Sequence, residues 1–536
     1  MDGQGIGYLE LVLLALLAAV AGLALIAKHL RVAYPIMLVL GGLLLSLVPR
    51  IPRVSMNPEI VFLVILPPLV FSASFHTSWR DFRKNLPGIV MLAFGLVGFT
   101  IFGVAGIMLL LIPGFGWNLG LVLGSLVAAT DAIAATATAK RLGLPRRITD
   151  LLEAESLVND GSGLVALKFT LALVMTGVTP SLTRGTGTLL YLVFAALVIG
   201  LIVGVVVHRI QEHIDDAPVE ITISLLTPYI AYLAAERLQC SGVLATLACG
   251  LYLGRRSSGF YSLHARIEAS AVWRTLDFVL NGLVFLVLGL QLPYILTNIR
   301  GVSARSVIVD GVLFSAVVIL LRYIWVYPAE WISQRLEKLR KGKVREVSSG
   351  EVFLIGWAGM RGVLALAAAL SLPEKLGNGA LFPFRDLIIF LTFCVIFATL
   401  VVQGLSMPAL IRLLGLGKAS TAYEEENTAR RQMILGALRA LSTIRNDSPE
   451  NQKELLDHLE SYYRHRLAVI QRDREAHSQD VEVDNLERQR YVAQELRNVE
   501  RSIALKLRNE NKIHDEVWRH LEHEIDLLDA RFAESD

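Results

Sequence analysis

From Glu153 to Gly163 the chain reads Glu-Ala-Glu-Ser-Leu-Val-Asn-Asp-Gly-Ser-Gly, a dense run of oxygen-bearing side chains. At about 100° per residue on a helix, Glu155 and Asn159 fall on one stripe and Ser156 and Asp160 on the next, so four polar groups face one side. Hard monovalent cations take oxygen ligands, and one carboxylate among hydroxyl, amide and carbonyl dipoles supplies a single balancing charge. The same carboxylate can hold a proton. Burial favours a carboxylic acid and a nearby cation favours a carboxylate, so one Asp can alternate between the two loads. The alternative is a helix N-terminal capping region with incidental polarity, against which Gly161 and Gly163 lead straight into the apolar run Leu164 to Val174.

A second acid, Asp131, stands between Thr130 and Ala132 in an Ala-rich apolar stretch. Small residues permit close backbone approach, and Thr and Asp can replace backbone hydrogen bonds, so a membrane helix could unwind here. A plain Ala-rich packing face with a buried neutral Asp is the competing reading. Two arginines, Arg322 and Arg361, lie within apolar segments and could balance these acids, unless they snorkel to the surface. Arg361 sits in the Gly-interrupted stretch Gly356 to Gly362. Two interrupted spans in the two halves of a chain point to a transporter of inverted repeats. Glu10, at a span end, and Asp277, three residues after Arg274, have structural explanations as a water-reaching group and a helical ion pair. Lys168 stays unassigned between a contact with the site and an excursion to the surface.

These residues need a scaffold, and the composition supplies one. Of 536 residues 54% are hydrophobic and 18% charged, with a net charge of +3, too apolar for an ordinary soluble protein. The charges are unevenly distributed. Residues 419–536 carry 18 basic and 25 acidic side chains, while residues 1–418 carry 33 and 23. The front is thus a polytopic membrane domain (1–418) and the acidic tail a soluble helical one (419–536). A secreted disulfide domain, a nucleic-acid binder and a soluble enzyme are excluded. Cys240, Cys249 and Cys394 show no paired or metal-ligand spacing and read as small core residues. The run Leu9 to Ala27 lacks a basic leader and a small-residue cleavage site, so it reads as the first span rather than a signal peptide.

Apolar runs between charge clusters predict about thirteen spans, at 8–28, 34–48, 58–76, 87–112, 118–140, 149–176, 187–209, 218–237, 241–254, 269–292, 305–334, 350–372 and 385–412. The loops agree with an odd number. One side collects Lys28 and Arg31, Arg80 to Lys84, Lys140 to Arg147, Arg209, Arg255, Arg256 and Arg266, the run Arg335 to Arg345, Arg412 and Lys418. The other has only Arg50, Arg53, Arg184, Arg237, Arg300, Arg305, Lys375 and Arg385. The positive-inside rule places the basic loops and the C-terminus in the cytoplasm and the N-terminus outside, in the cell (inner) membrane. In the tail, Val492, Leu496, Val499 and Ile503, then Ile513, Val517, Leu521, Ile525, Leu528 and Phe532, recur every three or four residues and predict amphipathic helices. Six histidines there (His458, His465, His477, His514, His520 and His523) suit either pH sensing or solvated helix faces.

Leu66-Pro67-Pro68-Leu69-Val70-Phe71, Thr130-Asp131, Glu155-Ser156-Leu157-Val158-Asn159-Asp160-Gly161, Phe278 to Leu290, Gly359-Met360-Arg361-Gly362 and Val402-Gln403-Gly404-Leu405 occur in that order. With these motifs the chain resembles the sodium/proton exchanger family of monovalent cation:proton antiporters, bacterial type with a C-terminal helical cytoplasmic domain, over nearly the whole membrane part. The Glu-Ser-x-x-Asn-Asp-Gly element is the specific one.

The resemblance implies a homodimer of thirteen-span all-α protomers in two inverted repeats, with crossed, broken fifth and twelfth helices and elevator-like alternating access. It implies that Asp160 takes up Na+ or H+, and that Asn159 beside it marks the electroneutral subgroup. Thr130, Asp131 and Ser156 would coordinate the ion with Asp160 or support the unwound crossing. Glu155 would pair with Arg322, and Arg361 would compensate the broken helices and contact Asp131. The chain departs from the family pattern at Ala132, where Pro usually follows Thr-Asp, and at Trp273-Arg274, where many members have Trp-Glu.

The expected activity is secondary antiport of Na+, or of Li+ or K+, against H+, contributing to pH homeostasis. A K+/H+ antiporter and a cation channel are the alternatives. No His-Glu-x-x-His, Gly-x-Ser-x-Gly or Walker phosphate loop occurs, so neither an enzyme nor a cofactor is expected. The expected partners are membrane lipid, monovalent cations and a second copy of the chain, with no nucleic acid.

Overall fold

The computed structural model describes residues 3–48, 56–142, 144–177, 181–298, 304–341, 348–377, 379–416, 420–447, 456–457, 459–464, 466–467, 498–507 and 510. Among them the chain is helical, apart from one isolated bridge between Lys375 and Leu381. In order the helices are α1 (Gly3–Leu30), α2 (Tyr34–Ser46), α3 (Pro58–Ile60), α4 (Leu66–His76), α5 (Trp79–Val90), α6 (Val97–Leu111), α7 (Trp117–Ala128), α8 (Ile133–Arg141), α9 (Arg146–Thr176) and α10 (Leu182–Gln211). They continue with α11 (Ala217–Arg237), α12 (Gly242–Phe260), α13 (Leu263–Leu290), α14 (Leu292–Asn298), α15 (Ala304–Lys341), α16 (Ser349–Trp357), α17 (Val363–Leu370), α18 (Arg385–Ala398), α19 (Gly404–Leu413) and α20 (Ser420–Asp447).

Ten of the described helical stretches are long and apolar enough to cross a membrane. Their outer faces carry large apolar side chains exposed to the surroundings, such as Phe102, Leu110, Phe194, Ile202 and Val312. That is the surface a lipid solvent selects, because hydrocarbon imposes no penalty on exposed Leu or Phe. Three of the thirteen expected spans fall short of this standard. α2 has 13 residues, α12 carries Arg255 and Arg256 near its end, and the stretch from α16 to α17 is interrupted.

Three π-helical segments join α-helices end to end: Val61–Ile65 into α4, Met91–Leu96 between α5 and α6, and Thr399–Gln403 between α18 and α19. A π turn misaligns the ladder of carbonyls and donors, so its carbonyls look for partners elsewhere. Tyr229 donates its hydroxyl to the Val64 carbonyl at 3.0 Å. The Trp325 indole donates to Met91 O at 2.9 Å and the Ser162 hydroxyl to Ala93 O at 2.6 Å. The first two wide turns are thus tied to neighbouring helices, the first to α11 and the second to α15 and α9.

The chain divides into two compact units, Met1–Ala419 and Ser420–Asp536. In the second, Arg445 of α20 pairs with Asp457 at 2.7 Å and with Glu460 at 3.2 Å. Within the described helical residues 498–507, Ala504 is buried while Val499 and Ile503 are more than half exposed. The three-to-four spacing set the helix there without choosing its buried face. The six tail histidines, the remaining predicted apolar positions of the tail, and Arg50, Arg53 and Arg300 lie outside the described residues.

Candidate functional site

α7 stops at Ala128, residues 129–132 run extended, and α8 starts at Ile133. α16 stops at Trp357 and α17 restarts at Val363 after residues 358–362. Each interruption creates a helix C-terminus with orphan carbonyls and an N-terminus with orphan N–H groups, and all of these must be satisfied away from water. The two interruptions solve the problem for each other. The Asp131 N–H donates to Met360 O at 2.7 Å. The Arg361 guanidinium donates to Ala128 O at 2.8 Å and Ala129 O at 3.2 Å, the carbonyl end of α7. Arg322, from α15, donates to Ile355 O at 3.0 Å and Gly356 O at 3.2 Å, the carbonyl end of α16. One arginine therefore stands at the negative end of each half-helix.

The amino ends are served by oxygens. Asp131 Oδ1 accepts from the Ile133 N–H at 2.8 Å and its carboxylate lies against Gly362, where α17 begins. From α9, Ser156 Oγ accepts from the Ala132 N–H at 3.1 Å and Asn159 Oδ1 from the Thr130 N–H at 3.2 Å. A proline in place of Ala132 would have no N–H to offer Ser156. Asn159 also donates its amide to Thr130 Oγ1 at 2.6 Å, and Thr130 donates on to Glu155 Oε1 at 3.2 Å. Glu155 then meets Arg322 in a two-pronged pair at 2.6 and 2.9 Å, with both residues fully buried.

Thr130, Asp131, Glu155, Ser156, Asn159, Arg322 and Arg361 thus form one connected network. Arg361 reaches the Asp131 segment through the carbonyls of Ala128 and Ala129 and through the neighbouring Met360 carbonyl and Gly362, rather than by a hydrogen bond between the two side chains. Its own N–H donates to Thr399 Oγ1 at 3.0 Å, at the start of a π segment. Asp160 is the exception. It is on α9 beside Asn159 and within electrostatic reach of Asp131, yet no described residue donates a hydrogen bond to its carboxylate.

Gly359 shows how tightly the network is built. A Cβ there would fall on the Arg322 guanidinium, which five bonds hold in place. Gly359→Ala is expected to lower stability by about 1–3 kcal/mol, the usual cost of overpacking, and melting of the purified protein in detergent measures it.

Sequence reasoning missed several participants. Tyr34 stands within electrostatic reach of both Asp131 and Asp277. With Phe278, whose ring centre is 5.8 Å from its own, it lines a cavity of about 580 Å³ together with Lys28, Arg31, Thr138 and Arg412. Lys28, Arg31 and Arg412 of its lining belong to the basic residues expected on the cytoplasmic side. Asp277 does not take the partner that its spacing suggested. Arg274 donates to Ser270 O, whereas Asp277 accepts the Ser72 hydroxyl from α4. Lys168 pairs with Glu236. Neither Tyr34 nor Ser72 carries a sequence signal of its own, since each is an ordinary polar residue at the edge or middle of an apolar run.

Comparison with known proteins places these features in context. The sequence profile described as "Sodium/hydrogen exchanger, transmembrane" matches residues 13–413. An uncharacterized Na(+)/H(+) exchanger of Mycobacterium tuberculosis is 34% identical over 541 residues, covering 99% of this chain and 98% of the relative. A sodium, potassium, lithium and rubidium/H(+) antiporter of Bacillus pumilus is 30% identical, covering 86% of this chain and 70% of the relative. The Na(+)/H(+) antiporter ApNhaP of Aphanothece halophytica is 31% identical, covering 81% and 80%. Among solved structures, the sodium proton antiporter MjNhaP1 of Methanocaldococcus jannaschii shares the fold with a TM-score of 0.58 at 19% identity, covering 77% of this chain and 99% of that one.

Proposed function

The chain belongs to the sodium/hydrogen exchanger family of membrane transporters, and from that premise we propose that it exchanges Na+ for H+ with Asp160 as the group that carries either load. The observation that carries this reading is the contrast within the site. Asp131, Thr130, Glu155, Ser156, Asn159, Arg322 and Arg361 are each engaged by hydrogen bonds, whereas no described residue donates one to the Asp160 carboxylate. A cation arriving there finds the oxygens of Asp131, Ser156 and Thr130 in the same neighbourhood.

The charges support one-for-one exchange. Glu155 offsets Arg322 directly, and the single charges of Asp131 and Arg361 offset each other across the interruption, which leaves Asp160 as the uncompensated group. Swapping one proton for one monovalent cation on a single carboxylate leaves the charge of the loaded protein unchanged, so transport is electroneutral. Alternating access of the elevator type would expose this site to each side in turn. In this reading α2, α12 and the α16–α17 pair also cross the inner membrane, giving thirteen spans with the N-terminus outside and the C-terminus in the cytoplasm. The protomers pair as homodimers, and the helical unit beyond residue 418 modulates activity.

A second reading, K+/H+ antiport, is favoured by the Bacillus pumilus relative, whose name includes potassium, lithium and rubidium. Proteoliposomes holding a pH gradient distinguish the cases. Added Na+ should collapse the gradient without generating a membrane potential, and faster collapse by K+ would support the second reading. Collapse by no monovalent cation would refute both. Repeating the assay on a chain ending at Ser420 should change the rate or its pH profile if the tail is regulatory.

A further inference from the structure

α9 carries two stripes with the same spacing and opposite character. Glu155, Asn159 and Ser162 follow one another at i, i+4 and i+7, and each is hydrogen-bonded to a surrounding element: to Arg322 of α15, to Thr130 of the first interruption and to Ala93 of the second π segment. Gly161, Val165 and Lys168 are spaced alike, but they face α10, α11 and α12 with hardly a polar bond between them. A Cβ on Gly161 would run into Leu244 of α12, so the helices touch at van der Waals distance there. Val165 is 4% exposed and packs in an apolar cluster with Leu192, Ala235, Cys240 and Leu244. At the last rung Lys168 Nζ meets Glu236 Oε1 and Oε2 at 2.8 and 2.9 Å. Glu236 is itself held by the Gly242 N–H at 3.2 Å, where α12 begins.

The position of this second stripe relative to Asp160 gives it a meaning. The 580 Å³ cavity is lined by Thr138 and Leu142, just before α9 begins at Arg146. Asp160 is fourteen residues further on, about 21 Å at 1.5 Å per residue, and Lys168 about 12 Å beyond that. The cavity thus lies beyond one end of α9, and toward the other end lies an apolar contact capped by the partly exposed Lys168–Glu236 pair. A helix that moves along a neighbour needs a smooth face there and a firmly bonded face elsewhere, and α9 has one of each.

We propose that Gly161, Val165 and Lys168 form the closed gate on the side of Asp160 opposite the cavity, and that the Lys168–Glu236 ion pair is its latch. The gate rests on the reading of the chain as an alternating-access exchanger. When the site turns to the other side, the contact of α9 with α12 parts and the ion pair breaks, so the latch favours the conformation with the cavity open.

A native reporter sits under the latch. Cys240 is buried in the same cluster and its thiol donates to Ala235 O at 3.2 Å. Burial, and after it the charge of Glu236, hold this thiol above its ordinary range, so a thiol reagent reaches a thiolate mainly when the gate opens. The full-length protein in membranes is exposed to a small polar maleimide, and labelling of Cys240 is followed by peptide mass spectrometry. Lys168→Met and Glu236→Gln should each speed labelling about threefold to fivefold, the range available to a partly exposed ion pair. The charge swap Lys168→Glu with Glu236→Lys should return the rate toward that of the native chain. Unchanged labelling in both single variants overturns the latch. So does a swap variant that labels as fast as the singles, because Cys240 would then be reporting loosened packing. Labelling uses no ion flux, so a native chain that exchanges no cation for protons would refute the antiport reading through a separate measurement.

Discussion

Asp160→Asn is expected to abolish cation-driven proton movement, with a loss of roughly a hundredfold or more, the scale on which a positioned proton-carrying side chain contributes. The same substitution should leave the melting temperature of the purified protein nearly unchanged. Both halves of the expectation follow from one observation. Described neighbours of Asp160 are bonded to one another and not to its carboxylate, so an amide of the same shape disturbs no protein contact. It also removes a negative charge that faces Asp131. What the amide cannot do is hold a proton on one side and a cation on the other. The check is a gradient-collapse assay in proteoliposomes beside a melting curve on the same preparation. Residual exchange well above that of empty vesicles would move the exchange group elsewhere, with Asp131 as the first carboxylate to test. A large fall in melting temperature would mean that Asp160 holds the site together rather than serving it.

Much of the site was legible in the sequence because its chemistry is improbable where it stands. Carboxylates and arginines seldom persist in apolar runs without a task, which singled out Asp131, Glu155, Asp160, Arg322 and Arg361 individually. The partners were less legible. Glu155 and Arg322 are 167 positions apart, and no spacing rule links them; only the family resemblance did. The partners of Arg361 are the carbonyls of Ala128 and Ala129. Such groups are present at every residue and become special only where a helix ends, so recognising them requires the location of the interruption first. Asp277 shows the opposite failure. A helical neighbour three positions away was an obvious partner, but Arg274 sits on the exposed side of α13 and turns to Ser270 O, while the carboxylate reaches Ser72, 205 positions distant. Spacing along a helix decides what can meet; the cost of leaving a buried oxygen unsatisfied decides what does. The span count has a similar limit. α2 is short, α12 carries Arg255 and Arg256, and α16 with α17 is broken; each of them packs against other helices along much of its length, which relaxes the demand for an uninterrupted apolar run.

Arg322→Met is expected to cost about 3–5 kcal/mol, because it strands the Glu155 carboxylate in the interior with only the Thr130 hydroxyl as donor. It also takes donors from Ile355 O and Gly356 O at the end of α16. Glu155→Gln should cost less than Arg322→Met, since the guanidinium keeps those two carbonyls and the new amide oxygen can still accept from it. The double variant should fall short of the sum of the two by about 1–3 kcal/mol, the usual size of coupling between groups in direct contact. Melting curves of the four proteins in one detergent test this order. Additive losses would mean that the 2.6 Å pair contributes nothing beyond its separate members, and equal melting points throughout would remove its structural role altogether. Under the proposed exchange the pair would matter for transport through its charge as well as its strength. Glu155 held against Arg322 would then not compete for the proton or the cation, leaving Asp160 as the exchangeable charge. Glu155→Gln with Arg322 left in place should therefore do something that the double variant does not. Its unmatched guanidinium raises the positive potential near Asp160, so the variant should show a higher KM for Na+, which the neutral double variant reverses.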